Sequence, residues 1–170
     1  MAPLTIRSEN AADIEHIHEI NRAAFETPAE AKLVDRLRTA ADPFLSLVAE
    51  LDGVVVGHIL FTPVRLENSD ELNLLGLAPM AIAPPHQNQG IGSALVEAGL
   101  AQCQKLGVGA VVVLGHPDYY PRFGFQAAAK FGIRCEYDVP DEAFMLCEMQ
   151  AGYLLGHTGE IHYHPAFNEL

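Results

Sequence analysis

Apolar positions along this chain repeat with two periods, and the switches between them mark out its elements. Residues 4–7 alternate as a short strand does. Asn10 then stands where a helix cap belongs, ahead of Ile14, Ile17, Ile20 and Ala24, the three-to-four-residue recurrence of a helix with one buried face. Thr27-Pro28-Ala29-Glu30 has the form of a capping box with proline at the first helical position. In such a box the Thr27 oxygen takes the Glu30 amide and the Glu30 side chain reaches back. Leu33, Val34 and Leu37 face inward from the helix that follows. Residues 44–50 and 54–61 read as strands joined at Asp52-Gly53, a strong hairpin signal.

A third long strand spans residues 72–82 and contains Pro79. Proline cannot donate to a sheet ladder, so a bulge or a break is expected there. Residues 90–106 form a helix closed by Gly107; Ser93, Glu97, Gln104 and Lys105 fall on one narrow polar arc, so the helix packs deeply against a sheet. Residues 110–114 are a short apolar run of the kind found in a buried strand. Residues 125–133 and 143–149 read as two further strands, and the aromatic, histidine-rich stretch from Gly152 has no element assigned. The order is β-α-α-β-β-β-α-β, a short turn or helix, then β-β. Strands bracketing one buried helix imply an α/β (α+β) fold with a mixed sheet, not a doubly wound parallel one.

Length and composition narrow this further. The 170 residues, 49% of them apolar, fit one domain with a sizeable core. We expect a single domain over residues 1–170, with a core of about 4–149 and a C-terminal extension of 150–170. The longest apolar run, 108–114, is far short of the roughly 18 residues of a membrane span. Residues 1–7 lack a basic segment followed by an apolar block, so no leader is expected. Cys103, Cys135 and Cys147 form no CxxC and cannot all pair, which suits a reducing, cytoplasmic setting. The net charge of −12 opposes a phosphate-held nucleic-acid partner. It attracts cations such as amines, and it also serves solubility.

The chemistry concentrates in residues 80–92, Met-Ala-Ile-Ala-Pro-Pro-His-Gln-Asn-Gln-Gly-Ile-Gly, which lead directly into the buried helix. A strand ends at Pro84-Pro85, a polar loop follows, and two glycines open the helix. Glycine lets the main chain approach a ligand closely. The first amides of a helix lack internal partners and sit at the positive end of its dipole. The combination suits a pyrophosphate. A phosphate-binding P-loop would need lysine and then Ser or Thr after Gly92, where Ser93-Ala94 stands. A dinucleotide fingerprint would need a small residue where Leu95 stands and an acid about 20 residues on, and Asp118 lies too far. The remaining reading is the pyrophosphate loop of coenzyme A.

Gln87-x-x-Gly90-x-Gly92 resembles the Gln/Arg-x-x-Gly-x-Gly/Ala signature of the GNAT N-acetyltransferase superfamily. Residues 80–84 resemble that family's fourth strand, and Tyr120-Pro-Arg-Phe-Gly-Phe125 its Tyr-x-x-x-Gly-Phe segment. Residues 115–125 are similar to the bacterial YhbS-like branch of predicted acetyltransferases. The likeness covers roughly residues 4–149, with one departure: Asn88 stands where many members have glycine.

The resemblance implies a GNAT fold, a mixed and mostly antiparallel sheet flanked by helices whose fourth and fifth strands splay apart. It implies acetyl-CoA as cosubstrate and an amine-bearing acceptor, with direct attack of the amine on the thioester. The pantetheine arm would lie along the main chain of Met80, Ala81 and Ile82, with the Met80 amide polarising the thioester carbonyl. Amides of Gln87, Asn88, Gln89, Gly90, Ile91, Gly92 and Ser93 would hold the pyrophosphate. Tyr120 aligns with the family's general acid; packing beside Phe123 and Phe125 is the alternative. Tyr119 and Phe123 would join the cofactor-binding set, and Tyr119 is the donor if the register slips by one. His116 is the candidate base, with a water chain as the alternative. A non-catalytic acyl-CoA-binding module remains the competing function, and a homodimer is expected of many relatives.

Other polar groups read as structural. His58, between Val56 and Leu60, suits a satisfied core histidine. His157, His162 and His164 have no acid or cysteine at zinc-ligand spacing, so no metal is expected and tail packing or a subunit contact is preferred. His16 and His18 do not share a helix face, and Asp13, Glu15 and Glu19 read as a solvated one.

Overall fold

The computed structural model describes residues 3–170; Met1 and Ala2, part of the segment searched for a leader, lie outside the described residues. In chain order the elements are β1 (Leu4–Ser8), α1 (Ile14–Ala24), α2 (Ala29–Ala40), β2 (Leu45–Leu51), β3 (Val54–Pro63), β4 (Arg65–Leu66) and β5 (Leu74–Ile82). Then come α3 (Ile91–Lys105), β6 (Ala110–Leu114), β7 (Gln126–Ala127), β8 (Ile133–Cys135), β9 (Phe144–Glu148) and β10 (Gly159–His162). The chain divides into two compact units, and β5 and α3 each contribute residues to both.

The first unit holds residues up to Thr62, Ala78–Gly99 and Pro165–Leu170. In it β1 pairs antiparallel with β2, from Leu4↔Leu51 to Ser8↔Leu47. β2 pairs antiparallel with β3, with a register shift between Ala49 and Glu50. The hairpin at Asp52-Gly53 forms as expected, with φ of 52° and 78° at its two residues, the left-handed pair that a two-residue turn requires. The core gathers Ile17, Leu33, Val34 and Leu37 from the helices, Ile59 and Phe61 from β3, and Leu95 and Val96 from α3. Each large side chain so enclosed contributes about 1.5–3 kcal/mol relative to exposure. A Cβ on Gly99 would stand 2.3 Å from the Phe61 ring, so glycine there lets the helix close on the strand.

The second unit holds Pro63–Leu77 and Leu100–His164. β5 runs parallel to β6 over Leu74↔Ala110 to Leu77↔Val113, and this register ends one residue before Ala78-Pro79. β6 pairs antiparallel with β9, and β9 with β7. A smaller sheet places β10 between β4, antiparallel, and β8, parallel. Antiparallel pairings predominate, in keeping with the mixed sheet expected. Among the described residues no helix is long and apolar enough to cross a membrane.

Three expectations need correction, and one unassigned stretch gains an element. The strand expected over 125–133 is two short strands separated by a turn at Ala128–Phe131, because Gly132 takes a left-handed φ of 72° and ends the run. The tail from Gly152, which had no element assigned, supplies β10. The capping box at Thr27 does not form. α2 begins one residue too late for it, and the Thr27 hydroxyl accepts the Ala29 amide at 3.3 Å instead. Asp13 is not solvated; it is 4% exposed, with its carboxylate bonded to Arg7 at 2.7 Å and to the Asn10 amide at 2.8 Å. The Arg7 guanidinium holds its pKa below the usual carboxylate range. Glu15 and Glu19 are exposed as expected.

Candidate active site

The glycine-rich loop lies in the first unit, and its shape follows from β3 beneath it. At Gly57, where a Cβ would begin, Ile82 Cδ1 lies at 3.0 Å, Ile91 Cγ2 at 3.2 Å and Leu95 Cδ1 at 3.2 Å. The end of β5 and the start of α3 therefore seat on one small residue. The Ala83 amide donates to the Val56 carbonyl at 2.8 Å. Alternation along an extended chain then turns the main-chain groups of Ile82 and Met80 toward the strand's opposite edge. The Gln87 amide side chain agrees with this, donating to the Ile82 carbonyl at 3.0 Å. Ala81 is buried between half-buried Met80 and Ile82.

A short turn, Pro84–His86, follows, closed by the His86 amide on the Ala83 carbonyl at 2.8 Å. The Gln89 side chain donates to the Pro85 carbonyl at 3.4 Å. Asn88 has φ of 62°, a left-handed conformation that asparagine tolerates better than most residues. This accounts for asparagine where glycine is common. Gly90 has φ of 83°, and among the described residues nothing lies within 4 Å of its missing side chain. The Ala94 amide bonds to the Gly90 carbonyl at 3.1 Å. The amides of Ile91 and Gly92 therefore come before the first helical bond, outside the helix's own ladder. Open space at Gly90 beside these donors fits an anionic diphosphate. Ser93 sits half-buried in the same first turn.

His58 follows Gly57 in β3, and its ring meets Asn21 of α1 and Ser46 of β2. It is fully buried, with Nε2 2.9 Å from Ser46 Oγ and Nδ1 3.2 Å from Asn21 Nδ2. The Asn21 amide also donates to the Ile17 carbonyl at 3.0 Å, so His58 Nδ1 accepts and Nε2–H donates. Burial, with Arg38 as the lesser cause, pushes its pKa down to about 3. It is the satisfied core histidine that the sequence suggested.

The second group of expected residues lies in the second unit. Tyr120 opens a short turn, Tyr120–Phe123, that ends at left-handed Gly124. Its ring is buried, meeting Tyr119 edge-on at 5.0 Å and Phe125 at 5.6 Å, with Phe123 at 6.4 Å. A Cβ on Gly115 would stand 2.4 Å from that ring. Burial, with neighbouring Tyr119, pushes the Tyr120 pKa up to about 12. Among the described residues nothing hydrogen-bonds to its hydroxyl. Tyr119 is more open, with the Arg122 guanidinium 4.6 Å over its ring and Arg122 Nε bonded to its carbonyl at 2.8 Å. His116 is exposed; its carbonyl receives the Tyr119 amide at 3.1 Å, and among the described residues nothing orients its imidazole.

Expected residues 80–93 thus fall in one unit, and His116, Tyr119, Tyr120 and Phe123 in the other. The roles of Gly57, Gly115 and the Gln87 side chain escape sequence reasoning, because each depends on a partner distant in the fold or on a side chain turned back on its own loop. His162 differs from expectation as well. Folding brings Glu67 and Glu160 to it, with ligand-type atoms all within 4.8 Å. Arg134 already stands among these acids, 3.0 Å from Glu67 and 3.8 Å from Glu160.

The sequence pattern of the acetyltransferase (GNAT) family matches residues 14–125. The uncharacterized N-acetyltransferase YhbS of Escherichia coli (strain K12) is 39% identical over 168 residues, 98% of this chain and 100% of that protein. The crystal structure of the E. coli GNAT family N-acetyltransferase YhbS in complex with CoA matches with a TM-score of 0.92, covering 99% of this chain and 93% of that one. A GNAT family acetyltransferase from Brucella melitensis, solved in complex with acetyl-CoA, matches with a TM-score of 0.81 at 34% identity, covering 98% of this chain and 99% of that one.

Proposed function

Because this chain belongs to the acetyltransferase (GNAT) family, we propose that it transfers the acetyl group of acetyl-CoA to a primary amine by direct attack. The observation that carries the reading is the loop from Ala83 to Gly92. It combines a left-handed, open-faced glycine with helix amides outside the helix's own ladder, the chemistry that holds a diphosphate. Relatives matching nearly the whole chain were solved with CoA and acetyl-CoA, which supports the same cosubstrate here.

The thioester supplies an activated acetyl group. In the transfer the amine nitrogen bonds to the acetyl carbon and the carbon–sulfur bond breaks; the nitrogen loses a proton and the sulfur gains one. The main chain of Met80, Ala81 and Ile82 lies along the pantetheine arm, and the Met80 amide stabilises charge on the carbonyl oxygen. The amides of Gln87 through Ser93 hold the diphosphate, while the Gln87 side chain braces the loop. Tyr120 donates to the departing sulfur. A phenol with a pKa of about 12 is a weaker acid than an ordinary thiol of about 8.5, so Tyr120 stabilises the thiolate by a hydrogen bond, and the sulfur takes its proton from solvent, to which the amine's proton is passed. Phe123 and Tyr119 hold its ring. His116, exposed and with no orienting partner among the described residues, takes the amine proton directly or through water. That same lack of an orienting group favours the competing reading, a module that binds acyl-CoA without turning it over.

Two measurements test the proposal. Calorimetry should give saturable acetyl-CoA binding, and free thiol should appear when amines are added. Absence of binding to any CoA species sinks the reading. Binding without thiol release across an amine panel leaves only the non-catalytic module.

A further inference from the structure

The proposed cosubstrate site is built from two stretches of main chain, residues 80–82 for the pantetheine arm and residues 87–93 for the diphosphate. The chain between them is largely exposed and includes left-handed Asn88 and Gly90. Hydrogen bonds shape that loop locally, but both stretches are also seated on a third element, β3. A Cβ on Gly57 would lie 3.0 Å from Ile82 Cδ1, 3.2 Å from Ile91 Cγ2 and 3.2 Å from Leu95 Cδ1. Carbon atoms in ordinary contact stand about 3.5–4.0 Å apart, so the three side chains close on the bare Cα and leave no room for a methyl group. Gly57 lies within a strand and has no left-handed φ. The close approach, not the backbone, therefore calls for glycine.

β3 cannot back away from an added methyl. Successive residues of a strand face opposite sides of the sheet, and the next residue, His58, is fully buried on the other face. There it meets Ser46 Oγ at 2.9 Å and Asn21 Nδ2 at 3.2 Å. Gly57 and His58 also keep register with Ala49 and Val48 of β2. The pressure therefore falls on the three side chains, and they yield unequally. Ile82 is half-buried, and its Cδ1 can turn about χ2. Ile91 is 4% exposed, and its Cγ2 is bonded directly to Cβ. A β-branched residue in a helix keeps essentially one χ1 rotamer. Pushing that Cγ2 moves the main chain of Ile91, whose amide is among the proposed diphosphate donors.

We propose that Gly57 is a positioning residue for acetyl transfer: its bare Cα sets the distance between the strand end along which the pantetheine arm lies and the helix start that grips the diphosphate. This rests on the acetyltransferase reading above. Gly57 is itself buried and acts through Ile82 and Ile91. Main-chain donors cannot answer a shift by changing rotamer. A displacement of a few tenths of an ångström at the helix start is therefore felt in the length and angle of the hydrogen bonds themselves. A cosubstrate that bridges both stretches reads any error in their spacing.

The test is calorimetry with acetyl-CoA, beside the melting temperature of the free chain, for Gly57→Ala, Ile82→Val and the two changes together. The pair moves one methyl from residue 82 to residue 57 and so keeps the packed volume. Gly57→Ala should weaken acetyl-CoA binding about tenfold, roughly the worth of one hydrogen bond to a charged group. The pair should regain affinity to within about threefold of the unaltered chain. Unchanged affinity in Gly57→Ala overturns the proposal even if its melting temperature falls, because that is what a purely structural glycine predicts. A pair that binds no more tightly than Gly57→Ala overturns it too. If Gly57→Ala does not fold, the pair is compared with Ile82→Val alone. Equal affinity then upholds the proposal, and a loss of about tenfold, or a pair that does not fold, overturns it. Failure of the acetyltransferase reading is distinct, since the unaltered chain would then bind no CoA species.

Discussion

Residues 83–92 present main-chain amides from an exposed loop, whereas residues 115–125 bury aromatic rings around one hydroxyl. In the loop the side chains serve the backbone: Gln87 and Gln89 donate to the Ile82 and Pro85 carbonyls. In the aromatic turn the backbone serves a side chain: Gly115 leaves room for the Tyr120 ring and the His116 carbonyl anchors the turn. The contrast shows how each part can be broken. A main-chain site resists side-chain truncation and yields to changes in backbone conformation, while a side-chain site can lose its function with a single oxygen.

The largest effect expected from this contrast is in Tyr120→Phe. The ring contacts remain, and the hydroxyl has no protein partner among the described residues to lose, so the melting temperature should stay within about 2 °C. Turnover should fall about a hundredfold, the low end for loss of one hydrogen-bond donor to developing negative charge, with the acetyl-CoA KM changed less than about threefold. Unchanged kcat would assign Tyr120 to packing alone, and a fall in kcat matched by a fall in stability would do the same.

The next effect concerns β3, the strand that carries Gly57. His58 titrates at about 3 in the fold and near 6.5 in an unfolded chain, so the folded state has the lower pKa. Above pH 6.5 the ring is neutral in both states and contributes no pH dependence. As pH falls from 6.5 toward 3, the unfolded chain takes up a proton that the native ring refuses. Stability then drops by as much as about 1.4 kcal/mol per pH unit, near tenfold in the folding equilibrium. Urea titrations between pH 6.5 and 5 keep clear of the low-pKa Asp13, and His58→Gln should flatten the slope there. An equal slope in the variant would show that His58 takes up its proton in the native chain as readily as in the unfolded one.

These two regions also differ in how far the amino-acid order reveals them. The loop was legible because its function lies in backbone conformation, and Gly90, Gly92 and the helix start are local signals. The hairpin at Asp52-Gly53 and the end of α3 at Gly107 were legible for the same reason. The strand expected over 125–133 is not continuous because Gly132, with its left-handed φ of 72°, closes a turn within it. β10 was missed because its partners, β4 and β8, lie far away in the chain and are only two and three residues long. The fit of Tyr120 on Gly115, and of Ile82, Ile91 and Leu95 on Gly57, is a matter of ångström-scale clearance that no spacing rule contains. Asn88 lies between these cases: it reads as a departure from the family pattern, and its φ of 62° shows that the pattern concerns conformation rather than residue type.

The smallest expected effect is the most discriminating for the loop. Gln87 occupies the first position of the glycine signature, where a ligand contact would naturally be placed, yet its side-chain amide is spent on the Ile82 carbonyl at 3.0 Å. If the diphosphate is held by main-chain donors, Gln87→Ala removes only a brace, worth about 0.5–1.5 kcal/mol as a neutral hydrogen bond and partly replaced by water at this exposed position. Acetyl-CoA affinity should then fall by about threefold, and the affinity of CoA lacking its acetyl group should fall by the same factor, because a brace on the loop is indifferent to the acyl end. A loss of a hundredfold would put the glutamine itself on the phosphates, and the division between a main-chain site and a side-chain site would have to be redrawn at that residue.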